Sequence, residues 1–134
     1  MRSIIRTKAG NDFSTMKVEN VNSTKINENE GKIKMASSRI NPVDMDLMKG
    51  MPFIKYKKSQ IGGIDGAGTI IEISENVTSF KLGEKVFFYC FFTDIGSWTE
   101  EIVIKEKYIA LIPKNISVEQ AGAIALSLLT LTIA

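Results

Sequence analysis

A chain of 134 residues, 44% hydrophobic and 24% charged, has room for one domain with its own core and not for two of ordinary size. Its 17 basic and 15 acidic side chains leave a formal charge of +2 with no clustered basic stripe, which argues against a nucleic-acid binder. The sequence has no histidine and a single cysteine, Cys90, so Ser-His and Cys-His couples, internal disulfides and an imidazole-held zinc are excluded.

Residues 1–6 lack the apolar run of a signal peptide, and a cytoplasmic protein is expected. The sequons at Asn22, Asn76 and Asn115 then read as turn and cap residues. Residues 3–8 and 13–19 alternate polar and apolar side chains around Ala9-Gly10-Asn11-Asp12, which predicts an opening hairpin. Residues 21–31 are polar and read as a loop before a strand over 32–40. Asn41-Pro42-Val43-Asp44 then supplies a cap residue, a proline at the first helical position and an acid in the first turn, predicting a short helix to about Lys49. Residues 51–60 show neither period and read as a surface loop whose Lys55, Lys57 and Lys58 are simply solvated.

Gly62-Gly63-Ile64-Asp65-Gly66-Ala67-Gly68 leads into the β-branched run 69–73, a strand. A dinucleotide cradle needs its glycines after a strand and opening a helix, so here they more simply allow positive φ, a bulge or close backbone approach. Strands are expected over 85–92, with turns on either side, and over 98–104 and 108–112. Within 85–92, Cys90 reads as an inert packed thiol. Short strands at this spacing make a small barrel. Ser117 to Gln120 fits a capping box, and 121–134 is interrupted only by Gly122, Ser127, Thr130 and Thr132. This segment reads as a buried helix, shorter than the about 20 residues that cross a bilayer, so no membrane is expected. A helix apolar on every side must be covered, either by further polypeptide or by a partner.

Six landmarks in register carry a resemblance over nearly the whole chain: the strand ending at Ile40, Asn41-Pro42-Val43-Asp44, Gly63-Ile64-Asp65-Gly66-Ala67-Gly68, Phe80-Lys81-Leu82-Gly83-Glu84-Lys85-Val86, Gly96-Ser97-Trp98-Thr99-Glu100-Glu101 and Leu111-Ile112-Pro113. The sequence resembles the N-terminal, GroES-like domain of the medium-chain dehydrogenase/reductase superfamily, in its zinc-free quinone oxidoreductase branch. The resemblance implies a mainly β fold with short helices, a partly open GroES-like β-barrel over residues 1–116. Residues 117–134 would start the helix leading into a nucleotide-binding Rossmann domain that is absent here. Zinc-containing relatives carry a cysteine where this chain has Asn41 and a histidine where it has Ile64, so no metal is implied. The implied activity is hydride transfer from NADPH to a small-molecule acceptor, a quinone or an enone.

On the same resemblance Asn41 would lie beside the nicotinamide and the acceptor, as both a catalytic and a cofactor-binding residue. Asp44 would shape the acceptor pocket and Thr132 would lie near the nicotinamide ribose. The local sequence alone reads Asn41 and Asp44 as a helix cap. Two positions depart from the family: Asp46 stands at a common tyrosine, and Thr130 at a glycine. A homo-oligomer that buries the last helix is expected, and the alternative function is a non-enzymatic binding or oligomerisation module.

Overall fold

The computed structural model describes residues 1–8, 10, 13–50, 60–90 and 96–133. The opening hairpin is present: β1 (Arg2–Arg6) pairs antiparallel with β2 (Met16–Asn20), Arg2 opposite Asn20 and Arg6 opposite Met16. Phe13–Thr15 form a 3-10 turn instead of extending β2. The Thr15 carbonyl there accepts both the backbone N–H and the hydroxyl of Thr7, each at 2.8 Å, a local alternative to the ladder. On the other side of β1 lies β4 (Gln60–Ile61), with Ile5 opposite Ile61. Gln60 therefore belongs to a strand, one too short to leave a period in the sequence. The lysine cluster before it lies outside the described residues.

The second sheet holds β3 (Glu30–Ser37), β5 (Asp65–Ile73), β6 (Lys85–Tyr89), β7 (Glu101–Lys105) and β8 (Ile109–Leu111), in the order β7-β3-β5-β6-β8. Every strand pairing among the described residues is antiparallel. Its core is built from Ile33, Ile70, Val86, Phe88 and Ile104, none more than 2% exposed. Each such side chain contributes about 1.5–3 kcal/mol on burial.

Strand boundaries differ from the expected ones for local reasons. β3 begins at Glu30, after Asn29 turns the chain with a positive φ of 59°. It ends at Ser37, and residues 38–40 leave the sheet to reach the first helix. Residues 98–100 join the small sheet: Trp98 C=O accepts Ile4 N–H at 2.8 Å, and Glu100 N–H donates to Arg2 C=O at 3.1 Å. The same chain then enters the large sheet as β7, with Met35 N–H donating to Glu100 C=O at 2.9 Å. One segment thus stitches the two sheets, which remain open at their other edges, a partly open barrel. A 3-10 turn at Glu106–Tyr108 shortens the last strand to three residues.

β5 starts at Asp65, four residues before the β-branched run. Its early part is buried on both faces, because Ala67 packs against Val118 and Ala121 while the strand lies against β3. A Cβ at Gly68 would strike the main-chain oxygen of Lys34, so only glycine lets β3 come that close.

α1 (Pro42–Lys49) begins at Asn41 as expected, with Pro42 in the first turn. α2 (Val118–Ile133) begins with the expected reciprocal box: Gln120 N–H donates to Ser117 Oγ at 3.2 Å and Ser117 N–H to Gln120 Oε1 at 2.9 Å. Its buried stripe is Val118, Ala121 and Ala125, at the i, i+3, i+7 spacing of a single face. Leu128 and Leu131 are 43% and 76% exposed, so the helix is not buried all round by the described residues. None of the described helices is long and apolar enough to cross a membrane.

Candidate functional site

Where the chain leaves β3 for α1, three polar side chains are packed out of water: Asn41, Asp44 and Asp65, at 2%, 3% and 0% exposure. The start of α1 places the first two. Asn41 N–H donates to Asp44 Oδ2 at 2.6 Å, and Asp44 N–H donates to Asn41 C=O at 3.0 Å, so the carboxylate caps its own helix. The Asn41 side chain donates from Nδ2 to Asp65 Oδ1 at 2.9 Å. The cap reading and the site reading therefore describe different atoms of one residue.

In the sequence Asp65 carries no motif that sets it apart from the glycine segment around it. It stands at the first position of β5, and its second oxygen accepts Leu126 N–H from α2 at 3.0 Å. Its main-chain oxygen accepts the Ser38 hydroxyl at 2.7 Å. That bond uses the only Ser38 hydroxyl proton, so Ser97 Oγ donates to Ser38 Oγ at 2.9 Å. The available sequence signal was an acid beside Ile64 in a stretch too apolar to be surface.

Burial raises both carboxyls above the usual range. Asp44 is pushed up to about 6, chiefly by loss of water, with the negative charge of Asp65 adding to it and the Asn41 bonds and Arg39 opposing it. For Asp65 the same loss of water is offset by the Asn41 amide, the Leu126 N–H and Arg39. One Asp44 oxygen, Oδ1, is buried without a partner. Arg39 spends its Nη1 on α2, donating to Ala123 C=O at 2.7 Å and to Ser127 Oγ at 2.8 Å.

Thr132 lies near the end of α2, about 9 Å along the axis from Leu126 at 1.5 Å per residue, and its side chain is outside the described residues. Asp46 faces solvent, 3.9 Å from Lys49, so it places no charge in the buried cluster. Ile64 is buried and apolar, and Asn41 has one amide proton committed to Asp65. This donor set does not fit a zinc ion. Among the described residues no three cysteine or carboxylate side chains gather as a metal site.

The glycine segment does not offer a phosphate cradle. Gly63 has φ +85°, and a Cβ on it would strike the Ser97 hydroxyl and the Trp98 ring, so the protein's own groups already fill the space beside it. Next to the cluster a cleft of about 600 Å³ opens between the hairpin and the end of β3, with Ile4, Phe13, Met35, Ile40 and Trp98 as apolar walls. Ser38, Arg39 and Thr99 add polar groups to that lining. What this part of the chain presents to the apolar cleft is the hydroxyls of Ser38 and Thr99, with the Asn41 amide buried behind the stretch 38–40.

Residues 27–114 match the family model of the alcohol dehydrogenase GroES-like domain. The chain is 28% identical over 126 residues to the mitochondrial enoyl-[acyl-carrier-protein] reductase of Xenopus tropicalis, covering 94% of this chain and 35% of that protein. It is 33% identical over 104 residues to a chloroplast envelope quinone oxidoreductase homolog of Arabidopsis thaliana, covering 76% of this chain and 32% of the relative. The crystal structure of Escherichia coli quinone oxidoreductase complexed with NADPH superposes with a TM-score of 0.82 at 23% identity, over 92% of this chain and 36% of that one. The chain thus spans about a third of the length of these curated relatives. With the family match covering most of the open barrel, from the polar stretch before β3 to the turn after β8, the chain belongs to the alcohol dehydrogenase GroES-like domain family of the medium-chain dehydrogenase/reductases.

Proposed function

We propose that this chain is the acceptor-side part of a zinc-independent, NADPH-dependent oxidoreductase that reduces a quinone or an enone. The observation that carries the reading is the buried Asn41 side chain, held by Asp65 in one orientation directly after Ser38, Arg39 and Ile40, which line an apolar cleft. In such a reduction NADPH supplies a hydride to the electron-poor carbon or ring, and a proton from water completes the reduced product. The acceptor oxygen gains charge as the hydride arrives. A donor already in place stabilises that charge better than mobile water does. Asn41 keeps a second amide proton for this, or for the carboxamide of the nicotinamide.

Asp44 borders the cluster as a carboxyl that burial makes weaker than usual, with a value pushed up to about 6. Thr132 belongs to this reading as a contact to the nicotinamide ribose. Zinc independence is supported by the absence of histidine from the chain and by the apolar Ile64 at a ligand position of zinc-containing relatives. The residues here fit the nicotinamide end of the cofactor only. Its phosphates require protein beyond this barrel, as the length of the relatives implies.

A second reading, a non-enzymatic binding or oligomerisation module, is favoured by one feature: the exposed leucines of α2, which a homo-oligomer would cover. Calorimetric titration with NADPH, with a small quinone added in a parallel run, separates the two. Saturable binding with consumption of the reduced cofactor supports the oxidoreductase. No binding at millimolar NADPH would mean that this chain is, by itself, an incomplete enzyme or a binding module.

A further inference from the structure

We infer that Asp65 is a positioning residue: it fixes the orientation of the Asn41 amide and clamps that amide to α2 through the backbone of Leu126. The inference rests on the oxidoreductase reading for its purpose, and on geometry alone for its content.

A fully buried carboxyl is costly, and leucine or asparagine would fill similar space. What a carboxylate alone offers is two acceptor oxygens and no donor. Oδ1 takes the Asn41 Nδ2 proton at 2.9 Å and Oδ2 takes the Leu126 N–H at 3.0 Å, so both are used by donors from different elements. An amide is planar, so committing one Nδ2 proton to Asp65 sets the direction of the other proton and of the oxygen. An acceptor-only partner also forbids the flipped amide, which would set two oxygens face to face. Asp44 faces the same residue but takes the Asn41 backbone N–H at 2.6 Å and links to no described backbone group of α2. Ser38 anchors the Asp65 main chain at 2.7 Å, so the clamp is held from behind as well. The other titratable or charged groups facing the clamp are Asp44, Arg39 and Tyr89, the last opposite Asp65 in the sheet. The result joins the start of α1, the first residue of β5 and the helix that carries Thr132 into one unit.

The test is nuclear magnetic resonance of the ¹⁵N-labelled chain during an acid titration, with NADPH calorimetry alongside. The Asn41 side-chain amide should show two well-separated proton shifts, one exchanging slowly with solvent. On acidification it should move together with the Leu126 amide, with a common midpoint. Asp44→Asn should keep that shared titration. Asp65→Asn, which offers one oxygen in place of two, should abolish it and release either Asn41 or Leu126, leaving distant resonances in place. If Asn41 and Leu126 do not titrate together in the unaltered chain, the clamp is refuted, whether or not the variant folds. If Asp65→Asn leaves both signals unchanged, it is refuted as well. Where the chain binds NADPH, Asp65→Asn should weaken binding by about tenfold, the worth of one charge-assisted hydrogen bond. A chain that binds no NADPH and yet shows the joint titration leaves the clamp standing without a cofactor site of its own.

Discussion

The large sheet is dry both among its apolar side chains and where β5 begins, and for opposite reasons. In the middle of the sheet Ile33, Ile70, Phe88 and Ile104 meet only one another and their neighbours, and each gains by leaving water. At the end where β5 begins, Asn41, Asp44 and Asp65 are equally buried, and each must recover in hydrogen bonds what it loses in hydration. A domain of this size can be stabilised by the first kind of packing alone. The second kind persists where a fixed polar group is useful, and this asymmetry points to the polar end as the working end.

Breaking the apolar end should have the largest effect. Phe88→Ala removes a side chain 2% exposed in the middle of β6, and a loss of about 3–5 kcal/mol is expected in urea denaturation. A loss below about 1 kcal/mol would mean that the sheet collapses onto the cavity and that this core is not tightly packed.

The polar end should respond differently to one change and to two. Asn41→Leu leaves Asp65 Oδ1 buried without its donor, and about 2–3 kcal/mol of stability should be lost. Asn41→Leu together with Asp65→Leu should recover much of that loss, since replacing both partners by apolar groups is far cheaper than orphaning one. Thermal denaturation of the two variants measures the difference. A double variant no more stable than the single would show that the cluster is structural in its own right.

Much of the apolar end was legible in the sequence, and half of the polar end. Period-two alternation marked β1, and turn residues on either side marked β6. The caps were legible because Asn41-Pro42-Val43-Asp44 and Ser117-Val118-Glu119-Gln120 combine several start signals within four residues, and both helices start there. The start of β5 was hidden, because Asp65-Gly66-Ala67-Gly68 has poor strand propensity. Its smallness answers to β3 and α2 pressing from two sides, a tertiary demand that no local window displays. Asp65 was hidden for the same reason: its partners, Asn41 and Leu126, stand 24 and 61 residues away. The apolar tail misled in the other direction, since composition says how much of a helix is apolar and not which face the rest of the chain covers.

The two ends should also separate in pH. The Asp44 carboxyl has a folded value of about 6 against an ordinary 3.8, so the folded protein holds its proton more tightly than the unfolded chain does. This contribution to stability is complete below the unfolded value and is lost as pH rises through the folded one. Asp65, also raised, acts in the same direction. Exposed Glu100, Glu106 and Glu119 are lowered by their hydrogen bonds and act in the opposite direction at more acid pH. Comparing Asp44→Asn with the unaltered chain cancels them. The variant should gain about 2 kcal/mol relative to the unaltered chain between about pH 4 and about pH 7, read from urea midpoints at each pH. A difference independent of pH would mean that Asp44 titrates as an ordinary solvated acid and that its burial is not felt by the charge.

The smallest effect is expected on the outer face of α2. Leu131 is 76% exposed, so Leu131→Ser should change the stability of a dilute sample by no more than about 0.5 kcal/mol. The same substitution becomes informative when protein concentration is raised. If a second copy of the chain covers this face, the melting temperature of the unaltered protein rises with concentration by mass action, and the serine variant loses that dependence. If both proteins melt independently of concentration, no copy of the chain covers Leu131. The apolar face of α2 then belongs with the polar end of the sheet, as surface kept for something other than the stability of this barrel.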